Sequence, residues 1–212
     1  MTTYIAVSIL LSIIFGLSVL TLIVQNKIKF SVINSEYLYQ FWSFVFFVIL
    51  YIIYNEKIRI LNLDNIFSIK NLLLICAAVI PIVLFTKNKG KNKKLSEGVL
   101  KAGFMEVPQR LLSQNIFFIF IGDFEMIRGI PAAIVLNGLI FAQFIIVQEL
   151  INKKNITKEI LSEIILSFWF SIFIGLLYHR TGNIILAMIS HSSIYFIRNL
   201  INKKTNDEVI VN

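Results

Sequence analysis

Cysteine is almost absent from the sequence. Only one, Cys76, occurs among the 212 residues, and it lies inside an apolar run. A single cysteine excludes a disulfide framework within the chain and a zinc site built from cysteine thiolates. A lone cysteine in apolar surroundings packs as a small hydrophobic residue, and this is our interpretation of Cys76.

Charged residues are scarce as well. They make up 15% of the chain, whereas hydrophobic residues make up 57%. Soluble domains average about 25% charged and about 45–50% apolar residues. The net charge is +8, but the basic residues lie between apolar runs and no nucleic-acid-binding pattern accompanies them. The composition therefore excludes an ordinary soluble domain and predicts no nucleic-acid partner.

Long apolar runs fill the rest of the sequence. A helix of about 20 apolar residues crosses a hydrocarbon core of about 30 Å. The runs predict an all-α fold, a multi-spanning transmembrane helical bundle of about seven helices, in contact with membrane lipid. The predicted spans are approximately 4–25, 37–54, 71–86, 99–121, 130–151, 160–178 and 183–201. We divide the chain into N-terminal helices with a basic loop (1–95), a membrane core (96–201) and a disordered tail (202–212).

The basic residues predict the topology of these spans. If the loop after the third span is cytoplasmic, fourteen Lys and Arg residues lie inside and five outside, with Arg110 within a span. The positive-inside rule then places the N-terminus outside and the C-terminus in the cytoplasm. The lysines from Lys87 to Lys94 are interpreted as a solvated loop, with binding of anionic lipid as the alternative. Abundant Ile, Lys, Asn and Phe favour an AT-rich genome and hence a bacterial cell membrane.

Two ionisable residues of the fourth span are a candidate site, because a charge in hydrocarbon is costly unless it is paired or hydrated. Glu106 and Arg110 are four residues apart, so they share a helical face and can pair. Pro108 lies between them and lacks a backbone donor, so we predict a bend. Either the pair is a structural lock between helices, or Glu106 has a chemical role.

The last predicted span carries a central histidine, His191. It can bind a metal, transfer a proton or form a hydrogen bond between helices. Polar neighbours accompany it: Ser190, Ser192, Ser193 and, one turn later, Tyr195. The fifth span also has polar residues, which give no specific signal: Asn137, Gln143, Gln148 and Glu149.

Taken in order, these features resemble the CPBP family, also called the Abi or CAAX-protease-like family of intramembrane metalloproteases. The resemblance covers about residues 96–201 and is most specific in LLYHRTGNIILAMISH, residues 176–191. The family pattern is Glu-Glu-x-x-x-Arg, then Phe-x-x-x-His, then His-x-x-x-Asn. The resemblance implies that, in active members, the first glutamate and the two histidines hold or activate the hydrolytic water, with a metal implied.

This chain keeps only part of that pattern. The matching residues are Glu106, Arg110, Phe141 and His191, whereas Met105, Ile145 and Tyr195 replace the first glutamate, the second-motif histidine and the asparagine. The resemblance implies Glu106 and His191 as the candidate catalytic residues and Glu106–Arg110 as a structural ion pair. A catalytic zinc site normally has three protein ligands. We therefore expect no metal, with His191 as the ligand and zinc as the ion if the chain is active.

The resemblance favours a catalytically degenerate member, a pseudoprotease that serves as a scaffold, a bacteriocin-immunity protein or a regulator. Its expected partner is a membrane-associated peptide or protein. Two alternatives remain. The first is an active intramembrane (metallo)endopeptidase. The second is a subunit of an unrelated membrane complex, which would be favoured if Glu106 and His191 lay far apart.

Overall fold

The structure, a computed structural model, describes residues 35–62, 66–85, 95–151 and 157–210. These residues are mostly helical. The helices are α1 (Ser35–Tyr54), a 3₁₀ turn (Asn55–Lys57), α2 (Ile69–Phe85), α3 (Leu95–Phe104), a π-helix (Val107–Gln114), α4 (Asn115–Ile121), α5 (Ala132–Ile151), α6 (Lys158–Thr181) and α7 (Ile184–Ile210). A short antiparallel hairpin of β1 (Glu125–Ile127) and β2 (Ile130–Pro131) joins α4 to α5.

The predicted helical architecture is confirmed in this part of the chain. The spans predicted from residue 37 onward each coincide with a helix, and the span 99–121 is divided among α3, the π-helix and α4. The first predicted span, 4–25, and the lysines at 87–94 lie outside the described residues, so a total of seven spans stays a prediction. Helix α7 continues to Ile210, which differs from the predicted disordered tail at 202–212. Residues 202–210 contain no Pro or Gly that would end the helix.

Two of the described helices are long and apolar enough to cross a membrane. They are Lys158–Thr181 and the Ile184–Ile201 part of α7, and shorter apolar helices cover Ile69–Phe85 and Ala132–Gln143. Large apolar side chains also point outward from several helices, among them Ile52, Leu84 and Ile165. Such a surface suits contact with lipid tails.

A proline inside α2 is accommodated by a side chain of α6. Pro81 has no N–H, so the carbonyl of Ala77, four residues earlier, loses its helical donor. The indole nitrogen of Trp169 donates to this carbonyl at 2.8 Å. Arg198 of α7 donates from Nη2 to the carbonyl of Ile82 at 3.0 Å. Helix α2 is therefore attached to both long membrane helices.

The reversal between α6 and α7 takes place at two residues. Gly182 has φ +59° and donates its N–H to the carbonyl of Tyr178, which ends α6. The side-chain oxygen of Asn183 accepts the N–H groups of the residues two and three positions later, at 3.0 and 3.3 Å, which begins α7. Because the turn is so short, α7 returns directly alongside α6 and carries His191 into the bundle.

The extended segment that follows the 3₁₀ turn holds this reversal. The N–H of Asn62 donates to the carbonyl of Gly182 at 3.2 Å, and the N–H of Ile184 donates to the carbonyl of Ile60 at 3.1 Å. The Asn183 amide adds a bond to the carbonyl of Asn62 at 2.9 Å. Residues 60–62 therefore fix the start of α7.

Candidate active site

The candidate site begins at a break in the fourth predicted span. Helix α3 ends at Phe104, and the chain resumes as a π-helix with Pro108 in its first turn. The predicted bend at Pro108 thus takes the form of a change of helix type. Isolated π-helical turns occur frequently at functional sites. Glu106 lies at the junction and is fully buried, as is Arg110.

The carboxylate of Glu106 has a partner on each oxygen. Arg110 donates from Nε to Oε2 at 3.0 Å, and His191 Nδ1 lies 2.7 Å from Oε1. An ionised carboxylate only accepts hydrogen bonds, so Nδ1 carries the hydrogen and Nε2 of a neutral His191 is left as an acceptor. The fold thus joins the two candidate residues, which lie 85 positions apart in the sequence.

Arg110 connects this pair to α6. Its Nη1 donates to Gln114 Oε1 and to Ser171 Oγ, both at 3.2 Å. Gln114 in turn donates to the carbonyl of Gly175 at 3.0 Å. All three polar side chains are buried. Sequence reasoning missed Gln114 and Ser171, although Gln114 lies four residues beyond Arg110 and this spacing could have indicated it.

A side chain at position 175 would not fit this arrangement. A Cβ on Gly175 would lie 2.7 Å from Ile134 Cγ2 and 3.1 Å from Gln114 Oε1. Glycine therefore permits α6 to approach both α5 and the π-helix closely. This contact brings buried polar groups of the π-helix and α6 together.

His191 is the least buried member of the site, with 20% of its side chain exposed. Its ring packs against Phe170, with the ring centroids 4.7 Å apart. The serines beside it do not hydrogen-bond to the imidazole, because their hydroxyls bond backbone carbonyls: Ser190 to Leu186, Ser192 to Val99 and Ser193 to Ser190. Only the Ser192 bond joins two helices, α7 and α3.

The positions that depart from the family pattern lie outside the buried ion pair. Met105 and Ile145 are half-buried, and Tyr195 is exposed, whereas the matching Phe141 is buried. The other polar residues of α5 differ in burial: Gln143 is exposed, Asn137 is fully buried and Glu149 is half-buried. The side chain of Gln148 lies outside the described residues.

The single cysteine and the second histidine, which are the other candidates for metal ligands, lie apart from the Glu106–His191 pair. Cys76 is a free, half-buried thiol on α2. His179 stacks on Phe118, with ring centroids 4.6 Å apart, and lies 3.8 Å from Asp123. The carboxylate of Glu106 is bonded to Arg110 and His191 and to neither of these two residues.

The donors at the site do not fit a catalytic zinc ion. Such a site needs three protein ligands. Among the described residues, no group of three or more His, Cys, Asp and Glu side chains could hold a metal. Glu106 has both oxygens bound within the protein, and His191 has one nitrogen bound to Glu106. Glu106 and His191 therefore do not complete the ligand set of a catalytic zinc ion.

The comparison with protein families agrees with this geometry. Residues 103–197 match the family described as type II CAAX prenyl endopeptidase Rce1-like. Residues 103–197 therefore resemble this family over slightly less than half of the chain, and we call them the Rce1-like region. The match confirms the resemblance to the CPBP, or CAAX-protease-like, proteins, which are membrane-embedded helical bundles. No curated protein and no solved structure matches the chain.

The Rce1-like region contains the π-helix, Glu106, Arg110 and His191. Helices α1 and α2 and the segment between them precede it but contact it at several points. One is Tyr178 of α6, whose hydroxyl donates to the carbonyl of Arg59 at 2.8 Å and accepts from Asn115 at 3.0 Å. The N-terminal helices and the Rce1-like region are thus packed together in the described part of the chain.

Proposed function

We propose that this protein is a non-catalytic relative of the membrane proteases, a pseudoprotease that binds a membrane-associated peptide or protein. One observation carries the proposal: Glu106 is fully buried, and both of its carboxylate oxygens are held by Arg110 and His191. The protease-like architecture is supported by the Rce1-like match. A role in bacteriocin immunity or in regulating another membrane protein suits a site that recognises without cleaving.

The chemistry of the substituted positions supports this proposal. A general base must come within hydrogen-bond reach of the proton that it removes. Glu106 is enclosed, and its bonds orient His191 and offset the charge of Arg110. Met105 stands where the family has its first glutamate, and a thioether is not a general base at neutral pH. Ile145 likewise offers no ligand or acid in place of the histidine.

A working intramembrane endopeptidase is the second candidate. It is favoured by the 2.7 Å contact between His191 and Glu106, because a histidine oriented by a carboxylate is a common acid–base arrangement. In this alternative the partly exposed His191 transfers a proton during hydrolysis, and Glu106 orients the imidazole ring. The third alternative, a subunit of an unrelated membrane complex, would be favoured by a large separation between Glu106 and His191, and their 2.7 Å contact does not favour it.

The setting of the protein belongs to the same proposal. We place it in a bacterial cell membrane with the N-terminus outside and the C-terminus in the cytoplasm, in contact with membrane lipid. Its partner is a membrane-associated peptide or protein, and it has no nucleic-acid partner. Function in this scheme needs no metal, and zinc enters only if the endopeptidase alternative holds.

A gain-of-function experiment separates the two candidates. A farnesylated CAAX peptide is offered to the purified protein in nanodiscs, and cleavage is followed by mass spectrometry. We expect none from the wild type, but cleavage from the triple variant Met105→Glu, Ile145→His, Tyr195→Asn. These positions are half-buried or exposed, so the substitutions do not disrupt the buried ion pair.

The matched control is the same triple variant with His191→Ala, which should be inactive. Binding of the peptide by the wild type, measured by fluorescence anisotropy, tests recognition apart from cleavage. Wild-type cleavage that disappears in His191→Ala would instead establish the endopeptidase.

A further inference from the structure

Arg110 has one nitrogen that its known partners do not use. Its Nη2 atom is buried and has no hydrogen-bond partner among the described residues, and the same is true of Nδ2 and Oδ1 of Asn137. Both side chains have zero exposure. Buried polar groups nearly always have a partner, because leaving one unpaired costs its full desolvation. Two such residues in one membrane core therefore need an explanation.

Helix α5 approaches the Arg110 guanidinium at positions on both sides of Asn137. On one side, a Cβ at Gly175 would be 3.4 Å from Arg110 Nη1 and 2.7 Å from Ile134 Cγ2. On the other side, a Cβ at Gly138 would be 3.4 Å from the Cβ of Ser171, whose hydroxyl accepts from Arg110 Nη1. Ile134 and Gly138 are thus one helical turn apart, with Ile134 beside Gly175 and Gly138 beside Ser171.

Asn137 lies on the adjoining face of α5. Ile134 and Gly138 face α6, and Ala133 packs in one cluster with Phe117 of α4. At 100° per residue, Asn137 falls between these two faces. The π-helix that bears Arg110 runs directly into α4, so it occupies this same side of α5. The Asn137 amide and the Arg110 Nη2 atom therefore lie on the same side of α5, and neither has a hydrogen-bond partner among the described residues.

We propose that Arg110 Nη2 and the Asn137 amide hold a buried water molecule that bridges the π-helix and α5. Nη2 can only donate, so the water oxygen accepts from it, and the water then donates to Asn137 Oδ1. A neutral ligand fits better than an anion because Glu106 already offsets the charge of Arg110. Buried water commonly satisfies polar groups of this kind. The water lies one side chain away from the Glu106–His191 pair.

Replacing Asn137 by serine and by leucine distinguishes a hydrated site from a dry one. The variant with the higher melting temperature should be serine if the site holds water and leucine if it is dry. Serine keeps a hydroxyl and leaves room for water, whereas leucine has the branched shape of asparagine but ends in two bulkier methyl groups that cannot bond the water. We expect Asn137→Ser to stay within about 2 °C of the wild-type Tm in nanodiscs and Asn137→Leu to lose about 4 °C or more. A leucine variant that melts at or above the wild type, or a serine variant that falls as far as leucine, overturns the proposal.

Asn115 provides the matched control. It is buried too, but it donates directly to the carbonyl of Leu111 at 2.9 Å and to the hydroxyl of Tyr178 at 3.0 Å. Both serine and leucine at this position should lower the Tm, because neither reproduces the two direct bonds. The contrast between the two asparagines separates a water-mediated bond from a direct one.

An experimental structure at a resolution that shows water decides the matter if the leucine variant fails to fold. We expect ordered density within about 3.2 Å of both Arg110 Nη2 and the Asn137 amide. A dry space, or a direct bond between the two side chains, overturns the bridge. These measurements involve no substrate, so their outcome does not depend on whether the protein cleaves peptides.

Discussion

At the scale of single residues, Glu106 is the group on which the site depends. It is the counter-ion of a fully buried arginine and the hydrogen-bond partner of His191. Removing one partner of a buried ion pair leaves an uncompensated charge, which is far more costly than the pair itself is stabilising. The structural role of Glu106 is therefore open to direct measurement.

The first prediction concerns the charge of Glu106. Glu106→Gln should lower the free energy of unfolding by about 3 kcal/mol, because Arg110 is left buried without its carboxylate. Denaturant or thermal unfolding in detergent measures it. Glu125→Gln is the control, since that carboxylate is exposed and, within the described part of the chain, accepts from the N–H of Gly129 alone. Unchanged stability together with lost peptide cleavage would mean that Glu106 is catalytic.

The second prediction concerns metal. The purified protein should contain no stoichiometric zinc, and His191→Ala should have the same metal content, because the donors at the site are too few. Elemental analysis of both proteins measures this. Near-stoichiometric zinc that disappears in His191→Ala would revive the metalloprotease interpretation and point to ligands outside the described residues.

At the scale of secondary-structure elements, the turn between α6 and α7 determines where His191 lies in the helical bundle. Gly182 has φ +59°, and a Cβ there would lie 2.7 Å from the Cβ of Arg59. Gly129 also has a positive φ, +77°, but nothing lies within 4 Å of a Cβ at that position. A side chain at Gly129 would therefore meet backbone strain alone, whereas a side chain at Gly182 would meet backbone strain and steric overlap.

Alanine at each position tests that separation. Gly129→Ala should cost about 1 kcal/mol, from the left-handed backbone alone. Gly182→Ala should cost at least about 1 kcal/mol more, because the segment around Arg59 must also move. Chemical denaturation of both variants gives the difference. Equal losses would show that the extended segment yields without cost.

The bond between Trp169 and α2 allows a double-mutant cycle. Trp169→Phe removes the N–H that satisfies the Ala77 carbonyl, and we expect a loss of about 1 kcal/mol from the hydrogen bond. Pro81→Ala restores a backbone donor to the same carbonyl. In that background the cost of Trp169→Phe should be smaller, and additive effects in the cycle would refute the coupling.

At the scale of the whole molecule, topology is the property that the basic residues predict. With Cys76 replaced by serine, single cysteines at Lys91 and Lys204 should react only after the cell membrane is permeabilised. Cysteines at Lys57 and Arg128 should react with an impermeant reagent in intact cells, because they lie on the outside in the predicted arrangement. Labelling of Lys204→Cys in intact cells would show that the orientation is opposite to the predicted one.

The helices were predictable from the sequence because their signal is local. Runs of apolar residues indicated the spans from residue 37 onward, and the spacing of Glu106 and Arg110 indicated a shared face. The π-helix was not predictable in form, since the sequence shows only that Pro108 interrupts regular hydrogen bonding. The contribution of Gln114 and Ser171 depends on how closely α6 approaches, which no local pattern reports.

By itself, the sequence determined that this is a helical membrane protein with a few ionisable residues in its core, and the family motifs indicated which of them to consider. Hydropathy and residue spacing carry that information along the chain. Only the tertiary structure decided that His191 contacts the carboxylate of Glu106 and that Ser171 accepts a hydrogen bond from Arg110. These contacts join residues far apart in sequence, and they form because the short turn at Gly182 and the small Gly175 allow α6 and α7 to pack tightly against the π-helix.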